Sequence, residues 1–143
     1  MTTLTRRLLL CAFVLIAMLI APPVIPSLYA ELPPGSYEKL KADAQEKLKI
    51  RITEVHQKEK GRRKLEVTLK AEVLDVERSN SLLKPGDTII IHSYRWIGRY
   101  AGPKNPPLLP VGWVGMAYLN KLEYSSKDAD DHYTLAAYGE SFE

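Results

Sequence analysis

Leu65-Glu66-Val67-Thr68-Leu69-Lys70-Ala71-Glu72-Val73-Leu74-Asp75-Val76 is the stretch that decides the architecture of this chain. Leu65, Val67, Leu69, Ala71 and Val73 alternate with Glu66, Thr68, Lys70 and Glu72, the period of two that a half-buried strand imposes. At Val73-Leu74 the phase slips, because Val76 keeps step with Leu74 and not with Val73. A slip of one residue marks a β-bulge, which bends a strand and raises its twist. A strand bent in this way suits a barrel better than a flat sheet.

Working outward, Lys58 to Lys64 is a charged hairpin tip around Gly61, and before it Leu48, Ile50 and Ile52 alternate with Lys49, Arg51 and Thr53 in a strand running to about His56. Ser36 is the expected N-cap of a short helix that places Tyr37, Leu40, Ala44 and Leu48 on one face. Downstream, Lys84-Pro85-Gly86-Asp87 has proline and glycine at the central positions of a type II turn. It leads into a third strand, Thr88 to Tyr94, apolar on both faces. Ile97 to Pro110 carries Gly98, Gly102 and four prolines and reads as a loop. Val111 to Leu122 makes a fourth strand in which Gly112 and Gly115 mark a bulge or a close backbone approach. Ser125 to Asp131 is polar, and His132 to Tyr138 is the fifth strand.

The expected fold is therefore mainly β: a small five-stranded OB-like Greek-key barrel over residues 48–143, with a short N-terminal helix within residues 31–47. The run Val67 to Val76, the Leu83-Lys84-Pro85-Gly86-Asp87 turn into Thr88-Ile89-Ile90-Ile91, and Leu109-Pro110-Val111-Gly112 ahead of Ala117-Tyr118-Leu119 resemble the netrin-like OB domains. Tissue inhibitors of metalloproteinases belong to that group, and the likeness covers about residues 48–138. The resemblance implies a barrel that acts by binding. Those inhibitors reach their target zinc through an N-terminal cysteine, whereas the single cysteine here, Cys11, lies in a different segment altogether. Inhibition by that route does not carry over.

That segment is Met1 to Ala30. Arg6 and Arg7 precede an unbroken apolar run, Leu8 to Ala21, and Pro22, Pro23 and Pro26 break the helix before Ala30, the pattern of a cleaved export signal. The competing reading is an uncleaved anchor, which would need roughly 20 uninterrupted apolar residues. Cleavage of thirty of the 143 residues leaves 113, enough for one domain. It also leaves 18 basic residues against 17 acidic ones, a net charge of +1 instead of +3. Global charge thus gives no case for a nucleic-acid partner. Neither disulfides nor thiol catalysis remain, and the hydrophobic core alone must hold the exported domain together.

For function, the informative cluster is Tyr94-Arg95-Trp96-Ile97-Gly98-Arg99-Tyr100, with Trp113 after the loop. Aromatic rings interleaved with arginines suit a ligand groove in which Tyr94, Arg95, Trp96, Arg99, Tyr100 and Trp113 stack and hydrogen-bond a glycan or acidic peptide. The alternative is structural, with Tyr94 and Trp96 covering the barrel and the arginines solvated. Five basic residues and one acidic between Lys58 and Lys64 suit either a solvated tip or an anionic surface. His56, His92 and His132 lack metal-ligand spacing, and Asp128, Asp130, Asp131 and His132 lack the glycine and final glutamate of a calcium loop. No serine elbow, zinc-protease helix or phosphate-cradling loop is present, so no catalytic residue and no cofactor is assigned. The expectation is an exported, non-enzymatic module that binds an envelope or extracellular protein or glycan, without stable membrane insertion. The competing class is an envelope hydrolase or sugar-modifying enzyme with its cleft between Tyr94 and Trp113.

Overall fold

The computed structural model describes residues 31–123 and 131–143. Residues 1–30, read above as an export signal, and Asp128 and Asp130 lie outside them. The order of elements is α1 (Ser36–Asp43), β1 (Glu46–Glu59), β2 (Lys64–Ser79), β3 (Thr88–Trp96), β4 (Val114–Lys121), β5 (Asp131–Leu135) and a closing 3-10 turn (Tyr138–Glu140). The strands form a closed barrel in the order β1-β2-β3-β5-β4. Among the described strands only the β3–β5 seam is parallel. This mixed five-stranded closure is the small OB-like barrel expected from the sequence. Among the described residues no helix is long and apolar enough to cross a membrane.

The bulge falls where the alternation slips. Leu48 faces Val76, Ile50 faces Val73, and the pairing skips Leu74. Val67, Leu69, Ala71 and Val73 are buried, and beyond the bulge Val76 still packs against the core. The Lys84–Asp87 turn docks on the same spot: Asp87 N–H donates to Lys84 O at 3.1 Å, Gly86 N–H to Val73 O at 2.8 Å, and Val73 N–H to Asp87 O at 2.9 Å. Gly86 supplies the φ of 94° that the turn requires. The bend in β2 and the start of β3 are thereby fixed together.

Several boundaries differ from the sequence reading. β1 runs on to Glu59 and β3 to Trp96, and β4 begins at Val114 instead of Val111, because Gly112 at φ 87° and Trp113 N–H donating to Pro110 O at 3.1 Å close a turn there. Gly35, at φ 80°, occupies the N-cap and makes no side-chain capping bond, so Ser36 is the first helical residue. The helix ends at Asp43, and Leu48 belongs to β1, whose pairing with β2 and β4 begins at Glu46. β5 stops at Leu135, because Ala136 and Ala137 turn the chain into the 3-10 segment and Tyr138 adopts a left-handed φ of 50°. The C-terminal residues then return along β4, with Glu143 N–H to Met116 O at 3.0 Å and Met116 N–H to Glu143 O at 2.7 Å. The close approach expected at Gly115 is here: a Cβ there would stand 2.3 Å from Glu143 O and 2.4 Å from the Trp113 ring.

Candidate functional site

Past the end of β3 the chain does not leave the barrel, because the loop is tied back onto it. Asn105 Nδ2 donates to Trp96 O at 2.8 Å and its Oδ1 accepts from Trp96 N–H at 2.9 Å, so one side chain extends the pairing of β3 as a strand would. Arg95 Nη1 donates to Pro106 O at 2.5 Å. Lys104 N–H donates to the Tyr37 hydroxyl at 2.6 Å, Gly139 N–H donates to Lys104 O at 2.9 Å, and Lys104 Nζ pairs with Glu140. A Cβ at Gly139 would lie 2.6 Å from Asn105 O, so the crossing of loop and 3-10 turn depends on that glycine.

These ties leave a cleft of about 270 Å³ between the ends of β3 and β5, the loop and the 3-10 turn. Four aromatic rings line it: Tyr94, Trp96, Tyr100 and Tyr138. Lys64 adds positive charge, the Lys104 ammonium is paired with Glu140, and no carboxylate or imidazole is among the residues that line it. The Trp96 and Tyr100 rings stack at 5.3 Å with 10° between their planes. Gly102 permits this geometry, since a Cβ there would meet the Tyr100 hydroxyl at 2.2 Å. Lys64 Nζ sits 3.8 Å from the Tyr94 ring centroid and 5.5 Å from that of Trp96, while Lys60 Nζ lies 5.5 Å from Tyr94. The Tyr94 hydroxyl donates to Glu66 Oε1 at 3.3 Å. Tyr94 and Trp96 are 40% and 39% exposed and so do not fill the core.

Three of the six expected ligand residues therefore meet, namely Tyr94, Trp96 and Tyr100. Arg95 is half-buried and engages Pro106 O. Arg99 is exposed, does not line the cleft, and contributes only its carbonyl, which accepts from Arg63 Nη2 at 3.0 Å. Trp113 lies apart from the cleft and packs against the core, edge-on to Phe142 at 5.6 Å and 79°. Sequence reasoning missed Lys104, Asn105 and Tyr138, and it placed Lys64 only in the basic Lys58–Lys64 tip, apart from the aromatic cluster. The Lys64↔Trp96 register brings that tip beside the aromatic strand end.

Beside the cleft, His92 and His132 stack at 5.1 Å, with Nε2 of the first 2.8 Å from Nδ1 of the second. Burial holds the His92 imidazole below its ordinary pKa, the neighbouring His132 adds to this, and Glu66 opposes it. Burial also pushes the Tyr133 hydroxyl up to about 12. Among the described residues no group of three or more His, Cys, Asp or Glu is arranged to hold a metal ion. Comparison with known proteins finds no matching family, no matching curated protein and no matching solved structure.

Proposed function

We propose that the protein is an exported, non-enzymatic binding module that takes an anionic saccharide in the Trp96 cleft. The observation that carries this reading is the convergence of four aromatic rings and two lysines on one preformed concavity. Flat apolar sugar faces stack on exposed aromatic rings, and a carboxylated sugar gains charge-assisted hydrogen bonds from lysine ammonium groups. Tyr138 supports the assignment, because a bulky residue held at φ 50° carries local strain of the kind that concentrates at binding sites. The lining holds no pair of carboxyl groups of the kind that glycoside hydrolysis uses, which favours binding over sugar cleavage. The export signal in residues 1–30 and the netrin-like resemblance agree with a module that works outside the cytoplasm.

Calorimetric titration of the chain with acidic and neutral oligosaccharides tests this. Saturable binding of an acidic oligosaccharide, weakened about tenfold by Lys64→Ala and little changed by Arg99→Ala, is the expected result. Turnover of the sugar instead of saturable binding would restore the hydrolase reading.

A further inference from the structure

We infer that the cleft is gated by protonation of the His92–His132 pair, acidification loosening β5 and weakening the ligand. The inference rests on the cleft reading for its consequence, but the switch itself is a property of the barrel seam. His92 lies on β3 opposite Thr134, and His132 lies on β5 opposite Ile90, so the two imidazoles are diagonal neighbours across the one parallel seam. At 2.8 Å, Nε2 of His92 and Nδ1 of His132 share a single hydrogen between them. The first added proton leaves an imidazolium that still donates to a neutral ring. The second removes the acceptor and sets two N–H groups, each on a cation, against one another.

β5 is the most lightly held strand of the barrel. β5 has five residues, joined to β3 over four residue pairs and to β4 over three. The seam is also continuous with the cleft: Ser93 and Tyr94 follow His92 directly, Thr134 and Leu135 follow shortly after His132, and all four line the cavity. Among the described residues, Glu66 and Lys70 flank the position opposite His92 on β2, and Asp131, next to His132 in sequence, is ion-paired with Lys121 of β4 at 2.9 Å. Of these, Glu66 favours a proton on His92, while burial and His132 oppose it.

The net direction sets the sign. An unfolded histidine titrates near pH 6.5, and the folded His92 lies lower, so below about that pH the unfolded chain binds more protons. Stability is therefore lost as pH falls from about 6.5 through the folded value.

Two measurements on the full chain test the switch. One is hydrogen exchange of the Tyr133 and Thr134 amides without ligand, at about pH 7.5 and about pH 5, corrected for intrinsic rates. The other is affinity for an acidic trisaccharide of galacturonic acid at the same two values. We expect protection and affinity each to fall about tenfold on acidification, both to become flat with pH in His92→Gln, and both to become shallower in His132→Gln, where burial still acts on His92. His56→Gln, on an exposed stretch of β1, should keep the wild-type dependence. Protection that does not change with pH in the wild type, or a dependence that survives in both Gln variants, overturns the switch. Exchange that follows this pattern with no trisaccharide binding at any pH upholds the switch and removes the cleft reading instead.

Discussion

The two tryptophans of this chain have parted company. Trp113 packs against the core and meets Phe142 edge-on, whereas Trp96 stands 39% exposed on a strand end with Tyr100 stacked over it and Lys64 beside it. Each follows from its neighbours. Gly115, two residues beyond Trp113, lets the indole and the returning C-terminus close over the barrel. Asn105 and Gly102 hold the loop so that Trp96 faces a cavity. One indole closes the fold, and the other is left available. Burial, and not residue type, separates the structural aromatic from the one proposed to bind.

Substitutions of graded size break or sharpen this contrast. As the yardstick for full burial, Leu69→Ala should cost about 2 to 5 kcal/mol in chemical denaturation, since Leu69 is 2% exposed on the inward face of β2. Trp113→Ala should cost about 3 kcal/mol and leave saccharide affinity intact. Trp96→Ala should cost only about 1 kcal/mol, the worth of its stacking on Tyr100, while reducing affinity at least about tenfold in calorimetry. If the two variants melted alike, the division between core and cleft would be lost. Glu66→Ala, on the outward face of β2, should fall within about 0.5 kcal/mol of the wild type.

Tyr133 extends the core side of the contrast into alkaline solution. Its hydroxyl is buried and stays protonated to about pH 12, whereas an unfolded tyrosine loses its proton near pH 10. The unfolded chain thus binds fewer protons in that window, so stability should fall as pH rises from about 10 to 12. Melting curves of Tyr133→Phe should show a shallower decline there than the wild type.

What could be read from the sequence was local. The Val73-Leu74 slip and the Lys84–Asp87 turn each lie within a few residues, and both formed as the periodicity and turn chemistry require. Trp96 and Tyr100 are four apart, and half of the expected ligand residues came together for the same reason. Lys64 was hidden because its place beside Trp96 depends on the β2–β3 register. Tyr138 and the His92–His132 pair were hidden because they depend on β5 lying parallel to β3, a pairing that no alternation pattern records. Glu46 shows what composition leaves out: it is fully buried at the start of β1, with Oε1 accepting from Ser81 N–H at 3.0 Å, a partner set by the fold and not by its neighbours in sequence. Trp113 reads with the cleft because it follows the loop, and strand alternation cannot separate an indole on the core from one in a groove.

The claim that the exposed indole marks the ligand site is tested most directly by making each tryptophan the sole emitter. In Trp113→Phe, which leaves Trp96 as the reporter, titration with an acidic oligosaccharide should change the emission saturably, and adding Tyr100→Ala should abolish the change. In Trp96→Phe, which leaves Trp113, the same titration should give no change. Emission that responds only through Trp113, or through neither tryptophan across acidic and neutral sugars, would contradict the assignment of the Trp96 cleft.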